Sequence, residues 1–248
     1  MIDASAPFVA AVFVLAGVVK GVIGLGLPTI SLGLLAIVMT PVEAVALLLL
    51  PSFVTNVWQM AAGPSLVGVI RRLWPMMLAV CLGTWSGIGL MTKETAPYGA
   101  MLLGASLIVY AILGLTAFRI TVRPTSEAWL GPLVGAITGL VTAVTGVFVI
   151  PAVPYLQAIG LEKDDLVQAL GLSFTVSTVA LAVNVGFAGA LNVSLFGSSL
   201  AALVAACLGM WGGQFLRSRM APQTFRKWFF TALLVLGLYL FAKSWLIS

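Results

Sequence analysis

The sequence predicts an all-α integral membrane protein, a polytopic helical bundle of two inverted repeats, each with a broken or re-entrant helical segment. Three observations carry this. Of the 248 residues, 61% are hydrophobic and only 8% charged, too little polar surface for a soluble chain of this length. Apolar runs near the ~20 residues that cross the hydrocarbon recur along the whole chain and do not alternate as membrane strands would. The order of those runs repeats after a polar linker, and each copy contains a run too short to span.

The start, Met1-Ile2-Asp3-Ala4-Ser5, has no positive region and is not read as a cleaved signal peptide. The first apolar run is Phe8 to Leu25, and the second, Pro28 to Met39, falls short of a span. Val42 to Ala62, Leu73 to Met91 and Pro97 to Ala117 complete the first set, before the polar stretch Arg119 to Glu127. The series then begins again with Trp129 to Thr145 and a second short run, Pro151 to Ile159. Leu166 to Phe187, Val193 to Phe215 and Phe225 to Leu246 follow. Residues 1–123 and 124–248 are thus expected to be two repeats of one transmembrane domain.

Letters repeat as well as hydropathy. Cys81-Leu82-Gly83-Thr84-Trp85-Ser86-Gly87 matches Cys207-Leu208-Gly209-Met210-Trp211-Gly212-Gly213, and Ala96-Pro97 matches Ala221-Pro222. Gly17 and Gly21 match Gly135 and Gly139, Ser52-Phe53 matches Ser173-Phe174, and Pro28 falls opposite Pro151. Loop cations then set the orientation. If each short run returns the chain or crosses on its own, each half makes an odd number of passes and the repeat inverts. Arg71, Arg72, Arg119, Arg123, Lys163, Arg217, Arg219, Arg226 and Lys227 then share one face, against Lys93 and Lys243 on the other. That bias places the linker in the cytoplasm and both termini outside it, whereas continuous spans would leave no preference. The same bias accounts for the net charge of +5 without nucleic acid.

The two short runs are preceded by breaks. Gly24, Gly26 and Pro28 interrupt the first helix, since glycine forfeits backbone entropy in a helix and proline lacks an N–H. Irregular backbone at membrane depth is tolerated where protein covers it or it lines a cavity, so the breaks are candidate sites. Asp3, Glu43, Glu94, Glu127, Glu162, Asp164 and Asp165 all fall at or near loops or termini, and there is no histidine. A cation carrier or carboxylate proton relay would keep an acidic group at depth. What lies at depth instead is Lys20, the one cation outside the two loop groups, with Thr29, Ser31, Ser52, Thr55, Asn56, Gln59, Thr142, Thr145, Ser173, Thr175, Ser177 and Asn184. Free N–H groups at the starts of the Pro28 and Pro151 helices, with Lys20, predict an anion site where the two repeats meet near the bilayer midplane. The candidate substrate-binding residues are Lys20, Gly24, Gly26, Thr29, Ser52, Asn56, Thr142, Thr145, Gly146, Ser173 and Ser177. No catalytic residue, metal or cofactor is called for.

Other readings stand beside these. Glycines four apart serve close helix packing, Lys20 has a stem long enough to snorkel to an interface, and Ser or Thr in a span often bonds its own helix. Cys81 and Cys207 read as small buried hydrophobes. Trp74, Trp129, Trp228 and Trp245 suit an interfacial aromatic belt.

The glycine-rich break ending in proline (Gly17-x-x-x-Gly21-x-x-Gly24-x-Gly26-x-Pro28) and its second copy (Gly135-x-x-x-Gly139 through Gly146 to Pro151) resemble the sulfite exporter TauE/SafE family of bacterial membrane permeases. The resemblance covers nearly the whole chain, although the second copy reads Thr142-Ala143-Val144-Thr145-Gly146 where the first is richer in glycine. It implies a multi-pass protein of the bacterial inner membrane that moves small sulfur-containing anions, such as sulfite, sulfoacetate or other organosulfonates, usually outward. The expected mechanism is alternating access between the repeats. Expected partners are the anionic substrate and membrane lipid, with a homodimer as an open possibility. A permease for another small anion or neutral metabolite is the alternative; a membrane-embedded enzyme lacks the nucleophile–base pair or acidic cluster it would need.

Overall fold

A computed structural model of the chain describes residues 6–90, 96–116, 121–187, 196–217, 219 and 222–247. Asp3, Lys93, Glu94, Arg119 and Ala221, which the sequence reading placed at loops and termini, lie outside the described residues. Among the described residues ten helices follow one another: α1 (Ala6–Ile23), α2 (Leu27–Leu35), α3 (Pro41–Ala61), α4 (Leu66–Ser86), α5 (Ala96–Thr116), α6 (Pro124–Thr145), α7 (Ala152–Ala158), α8 (Lys163–Phe187), α9 (Phe196–Arg217) and α10 (Pro222–Ile247). Eight are long and apolar enough to cross a membrane, while α2 and α7 are too short. The protein is a polytopic helical membrane protein.

Boundaries follow local chemistry. Thr40 caps α3 in a reciprocal box: its hydroxyl accepts from the Glu43 N–H while the Glu43 carboxylate accepts from the Thr40 N–H at 3.0 Å. This holds Glu43 at a helix start, and Glu127, Asp164 and Asp165 likewise occupy first turns, where a carboxylate meets the positive helix end. One boundary differs from expectation. Helix α4 begins at Leu66, seven residues before the predicted run, so Arg71 and Arg72 lie inside it. The arginines depress the hydropathy of that turn but do not oppose helix, and Gly63-Pro64-Ser65 supplies the actual start.

The helices pair reciprocally. Helix α1 packs on α9 and α6 on α4, α3 meets α8, α5 meets α10, and α3 touches α9 as α8 touches α4. Exchanging the halves leaves this set of pairs unchanged. Close approaches give the directions. Gly63 lies against Gln168, Gly171 against Met60, and Asn56 bonds Thr178, so α3 and α8 run antiparallel. Gly104 lies against Gly237 and Phe241 while Gly114 lies against Phe230, so α5 and α10 do the same.

The glycine pairs are packing devices. A Cβ on Gly17 would strike the Ala206 carbonyl, on Gly21 that of Met210, on Gly135 that of Met76 and on Gly139 that of Val80. Helices α1 and α9, and α4 and α6, therefore run parallel with backbones in direct contact, as small-xxx-small spacing allows. These contacts also correct the repeat register. Gly17 sits by Ala206 and Met210, and Gly139 by Val80 and Thr84, which are the counterparts of Ala206 and Met210 in the repeated cysteine motif. Gly17 thus corresponds to Gly139, one turn later than the letters suggest, and Lys20 corresponds to Thr142. Trp74, Trp129, Trp228 and Trp245 face outward, and Cys81 and Cys207 are half-buried free thiols.

Polar contacts hold the linker end of the bundle together. Gln168 accepts from the Ser65 N–H at 2.8 Å and donates to the carbonyls of Met60 and Gly63 at 2.7 and 2.9 Å. Arg72 forms a forked pair with Glu127 (2.9 and 2.7 Å) and donates to the Ile159 carbonyl at 2.7 Å, joining α4, α6 and the segment after α7. The Arg72 side chain is 37% exposed, so the pair is screened. Arg72→Ala should lower stability by about 1 kcal/mol or less, read as a small shift in detergent thermal melts. A large loss would mean that this contact, and not apolar packing, holds α4 to α6.

Candidate functional site

Helix α1 ends where Gly24 adopts φ +76°, its N–H still reaching the Lys20 carbonyl at 2.7 Å. Gly26 at φ +109° opens α2, with Pro28 in the first turn, where its missing N–H costs nothing. The second break is built by different residues. Gly146, at φ +73°, caps α6 and donates to the Thr142 carbonyl at 2.8 Å; the Thr145 hydroxyl accepts from Val147 at 3.1 Å. Both breaks expected from the glycine and proline pattern are present.

They do not meet. Gly24 lies near the Gln59 side chain at the end of α3, whereas Gly146 lies against Val45 near the start of α3 and against Leu32. Each of α1 and α6 runs on for 18 or 22 residues before breaking, which carries the two breaks toward opposite ends of α3. Gly26 faces Val19 and Phe229, and Val147, Phe148 and Val149 before α7 are fully buried apolar residues. With seven residues, α7 is also too short for a useful dipole. The expectation of two helix starts converging on one anion is therefore corrected.

The polar centre lies instead where α3 crosses α8. Lys20, 4% exposed, turns inward from α1 and not toward an interface. Its ammonium donates to the Thr55 hydroxyl at 3.1 Å and to the Asn56 side-chain carbonyl. Thr55 is oriented for this because its own hydroxyl proton goes to the Pro51 carbonyl at 2.7 Å, leaving its lone pairs for Lys20. Asn56 in turn donates from Nδ2 to the Thr178 hydroxyl of α8 at 3.3 Å. One chain of contacts thus joins α1, α3 and α8, and with it the two halves. Lys20 is the one charged side chain among the buried described residues, and its partners are neutral. An ammonium has three donors, and this network engages two.

Ser52 stands one turn before Asn56, and Ser173 and Ser177 one turn apart on α8; all three are at most 1% exposed, and their hydroxyls have no hydrogen-bond partner in the protein. A buried hydroxyl without a partner carries a desolvation cost, which a bound group that accepts its proton would remove. The other sequence candidates divide differently. Thr29 bonds the Gly26 carbonyl at 3.1 Å, Thr142 that of Thr138 at 2.7 Å and Thr145 that of Val141 at 2.7 Å. These three hydroxyls, with Gly24, Gly26 and Gly146, shape the breaks. Thr178 and Gln168 went unnoticed in the sequence. The adjacent Ser177 and the amide within an apolar span were the available signals.

The family model for the sulfite exporter TauE/SafE family matches residues 9–240, nearly the whole chain. No curated protein and no solved structure matches it.

Proposed function

Because the chain belongs to the sulfite exporter TauE/SafE family, a family of membrane transporters of sulfur anions, we propose that it exports small sulfur-containing anions such as sulfite or organosulfonates across the bacterial inner membrane. The observation that carries this reading is Lys20. Lys20 is buried in the last turn of α1 with neutral partners, and a lysine shielded from water is costly to hold without a counterion. A transported anion is the natural counterion, and Ser52, Ser173 and Ser177 are donors suited to its oxygens. Counterflow in proteoliposomes loaded with sulfite, thiosulfate, taurine, sulfate or acetate tests it. Flux confined to sulfur anions supports the reading, and flux of acetate alone contradicts it.

The hydroxyls allow a separable test. Ser173→Ala and Ser177→Ala remove groups with no protein partner, so melting should not fall, because no protein hydrogen bond is lost. Transport should nevertheless drop severalfold. Lowered stability with intact transport would make these serines structural.

Alternating access between the halves is the mechanism this reading expects, and the helix pairing supports it. Helices α3 and α8, and α5 and α10, are counterparts that run antiparallel, so the axis relating the halves crosses them. For helices that cross a bilayer, such an axis would lie in the membrane plane, which supports inverted repeats. The Gln168 contacts, which tie α8 to the end of α3 at the linker end, are ones that would part if that side opened. Reporter fusions should place residues 1 and 248 outside the cytoplasm and residue 124 within it. A cytoplasmic signal from either terminus would contradict inversion.

A further inference from the structure

We propose that this site accepts anions bearing one negative charge, hydrogensulfite and simple sulfonates, and discriminates against those bearing two; this rests on the transport reading above. Charge balance at Lys20 sets this preference. Among the buried described residues Lys20 is the one basic or acidic side chain, and its counterpart in the second half is the neutral Thr142. The buried polar side chains described beside it on α3 and α8 are neutral: Thr55, Asn56 and Thr178 in the network, Ser52, Ser173 and Ser177 with unpartnered hydroxyls. Hydroxyls orient and bond an oxyanion but add no net charge. A monoanion beside Lys20 makes a neutral pair. A dianion leaves one full charge uncompensated in a region shielded from water, where such a charge is far more costly than at a surface.

The donor pattern agrees with the charge count. Lys20 keeps one N–H beyond those given to Thr55 and Asn56, and the serines offer hydroxyl protons. Glu43, Glu127, Asp164 and Asp165 are held in first turns of α3, α6 and α8 and supply no acceptor here. A group whose oxygens all accept, as in a sulfonate, matches this set. By the same reasoning sulfoacetate, a sulfonate with an added carboxylate, belongs to the disfavoured class.

The test is competition for wild-type counterflow of labelled methanesulfonate in proteoliposomes at one fixed neutral pH. Competitors are ethanesulfonate against ethane-1,2-disulfonate, and methyl sulfoacetate against sulfoacetate, pairs similar in shape that differ by one charge. The expected result is that each monoanion competes at least tenfold more effectively than its doubly charged partner. Equal or stronger competition by the dianions overturns this inference and leaves the transport reading intact. Absence of methanesulfonate flux, with sulfate or disulfonate carried instead, overturns it as well. Flux of neither class removes the transport reading itself. Ser177→Lys adds a second cation at the crossing and, where the variant inserts, should shift preference toward the disulfonate. The wild-type competition decides the matter whether or not that variant folds.

Discussion

Lys20→Met should abolish most sulfite or sulfonate transport while leaving the protein inserted and folded. Methionine keeps the length and apolar stem of lysine, so the packing of α1 against α9 is undisturbed. What is lost is the ammonium, which gives hydrogen bonds to Thr55 and Asn56 and, in this account, to the anion. A hydrogen bond involving a charged group is worth about 1.5–3 kcal/mol, or roughly a ten- to hundredfold change in apparent affinity. Stability should change little, because relief of the buried cation's desolvation is offset by the Asn56 carbonyl left without its donor. Lys20→Arg should fall between, since the charge stays while the fork demands a different geometry from Asn56. Proteoliposome flux and thermal melting measured on the same preparations separate the two effects. Normal flux from Lys20→Met would reduce Lys20 to a structural residue.

Gly139→Leu, by contrast, should prevent accumulation of folded protein. A Cβ at Gly139 meets the Val80 carbonyl, lies 2.6 Å from the Thr84 N–H nitrogen and 2.9 Å from Gly83 C, all backbone atoms that no rotamer change relieves. Overpacking costs ~1–3 kcal/mol even where side chains can adjust, and here α4 and α6 must separate. Gly17→Leu should behave alike, because Gly17 makes the corresponding contact with Ala206 and Met210. Gly68→Leu is the control: it sits within α4 with nothing near its Cβ position. Size-exclusion profiles of the three variants test this, and a monodisperse Gly139→Leu would mean that α4 and α6 are not in backbone contact.

The sequence revealed spans well and contacts poorly, for physical reasons that particular residues illustrate. Hydropathy alone locates a helix such as α8, because the bilayer imposes its length. It misses the first turns of α4, where Arg71 and Arg72 look like loop yet sit in helix, with Arg72 paired to Glu127. Glycines four apart announce close packing, but a slip of one turn preserves the spacing, so the letters pair Gly17 with Gly135 where the packing pairs it with Gly139. Lys20 stood out because a charge in an apolar run is conspicuous. Its partners lie 35 and 36 residues away, and no local pattern points to them. The breaks were visible in Gly24, Gly26, Pro28 and Gly146, but their separation along α3 depends on how far α1 and α6 run and how they pack.

The most direct test of the account is to locate the anion. Iodomethanesulfonate is a monoanion with a strong anomalous scatterer, and crystals of the protein grown with it should show one iodine peak at the α3–α8 crossing. The sulfonate oxygens should lie within hydrogen-bond distance of Lys20 Nζ and of at least one of Ser52, Ser173 and Ser177. A peak beside Arg72 and Glu127 or at the start of α2, with the crossing unoccupied at saturating ligand, would contradict the assignment of the site to Lys20.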